Sequence, residues 1–187
     1  MINWKRIVEL TARWYVFAML NLYAIGKITG GQFYRKGHLP EAITQKTVDQ
    51  LSGFELAWTF FGYSKFYIVF IGLAQLIGAV MLLWDRTKLL GAVLLLGILL
   101  NIIVVDFEFG VGDAIVSAIF YFSLLLLIVG LNWKQVQTVW AQLTQKATRP
   151  YIPSRAKMIQ FAISLGLLVI VFFLETLFLK MVGFNRF

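Results

Sequence analysis

The chain has 187 residues, 60% of them hydrophobic and only 14% charged, with a formal net charge of +8 and no cysteine. Soluble domains run nearer half apolar and a quarter charged, so too few charged side chains exist here to coat a globule of this size, and the composition points to lipid. The missing cysteines and the single His38 exclude disulfide frameworks, thiolate metal sites, dithiol relays and bis-histidine haem ligation within one chain.

The Lys and Arg residues sit beside apolar segments, where anionic headgroups and topology account for them. None forms a stripe long enough to follow a phosphate backbone, so nucleic acid is not an expected partner. The opening Met1–Arg6 is basic and leads into an apolar run. Glu9 and Arg13 interrupt that run and no small-residue cleavage site follows, which predicts a retained first helix rather than a signal peptide.

A spanning helix needs about 20 predominantly apolar residues. The first candidate covers 8–28 and carries Arg13 and Asn21. Residues 29–65, with Gly30, Gly31, Gly37, Pro40 and several charges, predict an extramembrane loop with a short helix near Thr44–Leu51. Spans follow at 66–84, 89–105 and 114–131, separated by Asp85-Arg86-Thr87-Lys88 and by an acidic turn from Asp106 to Asp113. Over 133–148, Trp133, Val136, Trp140 and Leu143 recur at helical spacing among Lys and Gln, which predicts an amphipathic helix in the headgroup plane. A fifth span covers 158–179. The fold class is therefore an all-α membrane helical bundle forming a single transmembrane domain over 1–187. With the N-terminus inside, Lys5, Arg6, Arg86, Lys88 and Lys134 share the inner face, although the first loop is also basic.

Several residues carry two readings. Arg13 lies inside the first span, where it either snorkels to the headgroups with Glu9, one turn back, as its ion-pair partner, or serves a role at membrane depth. Asn21, Gln75 and Asn101 are polar residues in three spans, suited to interhelical hydrogen bonds or to a shared cavity for a polar head. Asp106, Glu108 and Asp113 cluster within eight residues. Their mutual repulsion suits proton or cation exchange, while Asp113 alone is explained as a cap of the fourth helix. Gly72, Ala74, Gly78, Gly91 and Gly97 read as close-packing positions, and Trp4, Trp14, Trp84, Trp133 and Trp140 as an interfacial belt. No nucleophile with an adjacent base, phosphate loop or metal-spaced cluster is present.

Gly26-Lys27-Ile28-Thr29-Gly30-Gly31-Gln32-Phe33, Leu56-Ala57-Trp58-Thr59-Phe60-Phe61-Gly62-Tyr63-Ser64, Arg86-Thr87-x-x-Leu90-Gly91-Ala92 and Asn101-Ile102-x-Val104-x-Asp106-Phe107 occur in that order. Together these segments resemble the DoxX-like membrane proteins of bacteria, over about Arg13 to Leu131. The resemblance implies a four-helix core, to which this chain adds the interfacial helix and a fifth span. It also implies residence in the bacterial inner membrane and quinone-linked redox or oxidative-stress roles. An acid is often found in relatives where Gln75 stands, and a basic residue after the acidic turn is missing here. The expectation is a membrane subunit that binds quinone or lipid between helices, holds no cofactor of its own, and works beside a redox partner subunit. The alternatives are a small-molecule or ion carrier and a non-catalytic assembly factor.

Overall fold

The computed structural model describes residues 2–145 and 153–181, and every regular element among them is helical. The chain divides into two compact units, Met1–Leu143 and Thr144–Phe187.

The first unit opens with α1, Trp4–Thr29, capped by Asn3, whose Oδ1 accepts from the Arg6 amide at 3.2 Å. Its buried residues, Glu9, Ala12, Arg13, Val16, Leu20, Ala24 and Lys27, follow one another at steps of three and four and so form one stripe. The helix ends at Gly30, whose φ of 102° lets its amide and that of Gly31 turn back onto the Gly26 carbonyl.

The expected loop 29–65 is more structured than its composition suggests. It holds α2 (Glu41–Thr44), a 3-10 turn (Val48–Gln50) and α3 (Gly53–Gly62). Ser52 and Glu55 cap α3 reciprocally, with the Ser52 amide donating to Glu55 Oε2 at 2.8 Å. The segment before α2 lies against α3: the Tyr34 amide donates to the Trp58 carbonyl at 3.2 Å. A Cβ on Gly62 would sit 1.8 Å from the Tyr34 oxygen, so this contact requires glycine.

α4 (Lys65–Met81) stops short of the expected 66–84, because a hydrogen-bonded turn begins at Leu82 and Thr87 Oγ1 caps the Met81 carbonyl at 2.8 Å. α5 (Lys88–Glu108) overruns its expected end at 105, and α6 (Gly112–Leu131) follows after a turn at Gly110. α1 packs on α4 and α6, and α5 packs on the same two helices, so the four close into a ring. Its centre holds Val16, Leu20, Leu82, Leu95, Leu99, Leu125 and Ile128. α4 and α5 approach closely at Gly91, where a Cβ would lie 2.7 Å from the Gly78 carbonyl. Gly97, expected at such a contact, has nothing within 4 Å of a Cβ.

α5 and α6 are each long and apolar enough to cross a membrane. α3 and α4 pass the same test only together, as a pair bent by 93°. α1, expected as the first span, does not pass: it has the length, but Arg13, Asn21 and Lys27 reduce its apolar character. The amphipathic α7 covers Trp133–Leu143, with Trp133, Trp140 and Leu143 exposed; of its expected range, 144 and 145 are not helical and 146–148 lie outside the described residues.

The second unit contains α8, Ser154–Met181, which is also long and apolar enough to span and is exposed along almost its whole length.

Candidate functional site

Polar and apolar residues are inverted relative to a soluble protein. Leu90, Val93, Phe70, Ile77, Val116 and Phe120 are exposed on the first unit, while Glu9, Arg13, Lys27, Gln75, Lys88 and Asp106 are buried. The buried polar residues form two groups at opposite ends of α1, since Glu9 and Lys27 are separated by about 27 Å of helix rise.

The first group is an ion network. Arg13, 1% exposed, donates from Nε to the Leu82 carbonyl at 2.5 Å and from Nη1 to Asp85 Oδ1 at 2.7 Å and Glu9 Oε1 at 3.3 Å. Lys88 Nζ reaches the same Glu9 oxygen at 2.6 Å, and Arg6 grips Asp85 through two bonds of 2.8 and 3.0 Å. The Glu9 pair expected for Arg13 is thus present, and the guanidinium is also buried against the α4–α5 turn. The α4–α5 turn brings a carbonyl and a carboxylate to it, which satisfies a buried guanidinium better than a distant headgroup could. The role of Asp85 and Lys88 is not legible in the sequence, because it depends on contacts with Arg13 and Glu9, 72 and 79 residues away in the chain.

The second group lines a cavity of about 490 Å³ between α1, α4, α5 and α6. Gln75, Asn101 and Asp106, candidates from sequence, all lie on its wall, with Lys27, Tyr23, Ser117 and Tyr121 added by the fold. Its roof comes from the 29–65 segment: Phe33 and Trp58 meet edge-on at 5.5 Å, and Phe61 lies nearly parallel to Tyr67 at 6.0 Å. Gly97 also lines it, and its missing side chain contributes room rather than contact.

The electrostatics are specific. Lys27 and Asp106 are 7% exposed each and attract one another, yet they form no ion pair within 4.0 Å among the described residues. Asp106 Oδ2 and Gln75 Oε1 are buried with no hydrogen-bond partner. Lys27 Nζ lies 6.0 Å from the centre of the Tyr23 ring, within cation–π range.

Other candidates fall elsewhere. Asn21 turns back on its own helix, its Nδ2 donating to the Phe17 carbonyl at 2.6 Å, and does not line the cavity. Asp106 and Glu108 do not act together: two residues along a continuous helix is about 200° of rotation, which carries Glu108 to an exposed face. Asp113 belongs to α6, but its side chain lies outside the described residues. No cluster of three His, Cys, Asp or Glu residues among the described residues could hold a metal ion. Lys27 was legible only in part. It continues the Leu20, Ala24 stripe at i+7 and i+3, but its charge resembles that of a loop residue.

The cavity ends at the apolar centre of the ring. Leu20 and Leu99 form its floor, and Val16, Leu82, Leu95 and Ile128 fill the space between it and the ion network.

No family model and no solved structure matches this chain. Among curated proteins, the uncharacterized protein YwoB of Bacillus subtilis (strain 168) is 35% identical over 124 residues, covering 66% of this chain and 77% of the relative.

Proposed function

The chain belongs to the family of Bacillus subtilis YwoB, and from that premise we propose that it is an integral membrane protein whose α1, α4, α5 and α6 cross the bilayer and bind a small amphiphile between them. The observation that carries this reading is the cavity itself: a largely apolar, partly open space of about 490 Å³, with buried acceptors left unpaired on its lining residues. Such sites in helix bundles take ligands with an apolar body and a few fixed polar contacts.

The resemblance to DoxX-like proteins assigns the class: a membrane subunit of a quinone-linked redox or oxidative-stress assembly in the bacterial inner membrane, with quinone or lipid bound. The donor side and the ring-bearing wall fit a quinone. Lys27 would donate to a ring oxygen, and the aromatic roof would hold the ring. A quinone supplies two-electron, two-proton chemistry when bound, while this chain supplies an apolar enclosure and a partner subunit supplies the redox centre. α7 lies in the headgroup plane, α8 is a further span, and the basic residues around Arg6, Arg86 and Lys134 favour a cytoplasmic N-terminus.

The carrier reading is weaker, because the apolar side chains from Val16 to Ile128 close the path toward the ion network. The assembly-factor reading requires no ligand at all. Native mass spectrometry of the protein in nanodiscs separates these readings. A bound quinone or lipid is expected on the wild type and is lost in Gly97→Leu, whose side chain enters open cavity space. Identical, ligand-free spectra from both proteins would overturn the binding reading.

A further inference from the structure

The polar atoms of the cavity define what its ligand must offer. The two orphaned atoms, Asp106 Oδ2 and Gln75 Oε1, are both acceptors, on residues 7% and 1% exposed. A buried acceptor without a donor forfeits its hydrogen bond to water, so a ligand that brings O–H groups regains what desolvation removed. A ligand that brings only carbonyl or ether oxygens adds more acceptors and regains nothing at these two positions.

Charge restricts the class further. Lys27 and Asp106 offset one another on the cavity wall, so a ligand of either sign would leave a net charge in a low-dielectric enclosure. Among the described residues no ion pair within 4.0 Å joins them, and both side chains line the cavity. The remaining wall is mostly apolar, part aliphatic and part aromatic. Phe33, Trp58, Phe61, Tyr67 and Tyr121 offer ring faces and edges to another ring.

We propose that the cavity recognises the hydroxyl groups of an uncharged aromatic amphiphile, a phenol or hydroquinone. Asp106 Oδ2 and Gln75 Oε1 accept from its O–H groups, and Lys27 donates to a hydroxyl oxygen. This rests on the cavity being the ligand site, as set out above, and goes beyond that reading by assigning preference to the hydroxylated form over the carbonyl or ether form. Donor recognition, not ring shape, sets the affinity.

The test uses the full chain in nanodiscs and three probes of equal alkyl chain length: an alkylhydroquinone kept reduced, its dimethyl ether and the plain alkylbenzene. Binding is followed by calorimetry and by quenching of Trp58, with Trp58→Phe as the signal control. The hydroquinone is expected to bind at least about tenfold more tightly than either other probe. The gap between hydroquinone and ether is expected to narrow in Gln75→Leu, whereas Lys27→Met, which removes a donor serving either oxygen, is expected to weaken both and leave that gap unchanged. The wild-type comparison alone decides the matter if either variant fails to fold. Equal affinities for hydroquinone and ether would overturn the donor rule while leaving the cavity a ligand site, its acceptors then being satisfied by water. Failure of all three probes to bind, the alkylbenzene included, would overturn both.

Discussion

Lys88 Nζ lies 2.6 Å from Glu9 Oε1, and both side chains are buried where α5 begins beside the start of α1. Arg13 shares that carboxylate, so one acid answers two buried cations. Removing it takes from Lys88 its close carboxylate and leaves Asp85 to answer both buried cations, 3.9 Å from Lys88, a situation in which a buried pair becomes costly. Glu9→Gln is expected to destabilise the first unit by about 3–5 kcal/mol, read as a large fall in melting temperature in detergent. A change below about 1 kcal/mol would show that Asp85 alone suffices for Arg13.

Asp85 makes the complementary case at the exposed edge of the same network. Hydrogen bonds from Arg6 and then Arg13 hold its carboxyl well below the usual carboxylate range. A carboxyl depressed in the folded state contributes stability above its unfolded value of about 4 and loses it as pH falls through the folded value. This contribution is therefore constant from pH 7 to 5 and declines only in stronger acid. Because Asp85 is 54% exposed, Asp85→Asn is expected to cost no more than about 1 kcal/mol at pH 7. Its melting temperature should also fall less steeply than that of the wild type below about pH 4. Parallel pH profiles for the two proteins would refute the assignment.

Gly91 tests the α4–α5 contact. A methyl group there would meet the Gly78 carbonyl at 2.7 Å and Met81 Cβ at 2.8 Å, neither of which can swing away. Gly91→Ala is expected to destabilise by about 1–3 kcal/mol through overpacking, in contrast to Gly97→Ala, which should be close to neutral. Equal effects at the two positions would contradict the packing described.

The two candidates that the fold moved out of the cavity supply a control. Asn21→Leu and Glu108→Gln are expected to change probe affinity by less than about twofold, because Asn21 bonds to Phe17 and Glu108 faces outward. A loss comparable to that in Gln75→Leu would place the ligand elsewhere.

The absence of cysteine makes orientation directly measurable. With the N-terminus inside, a membrane-impermeant maleimide on intact cells is expected to label Lys36→Cys and to spare Arg86→Cys until the membrane is opened. Both positions are exposed. The reverse pattern would invert the assigned topology.

Composition and periodicity alone determined that the chain is helical and built for lipid. Inside a bilayer, leucine- and valine-rich runs of span length satisfy their backbone groups as helices, and α5, α6 and α8 follow those runs closely. The neighbourhood of Gln75, Asn101 and Asp106 was also suggested there, since polar residues inside apolar spans stand out. Tertiary structure alone decided which of the polar residues share a space. Helix rotation separates Asp106 from Glu108, the end of α1 brings Lys27 to the cavity, and the turn after α4 delivers Asp85 to Arg13. Those outcomes depend on facing angles and on contacts between residues far apart in the chain, and neither is encoded in local spacing.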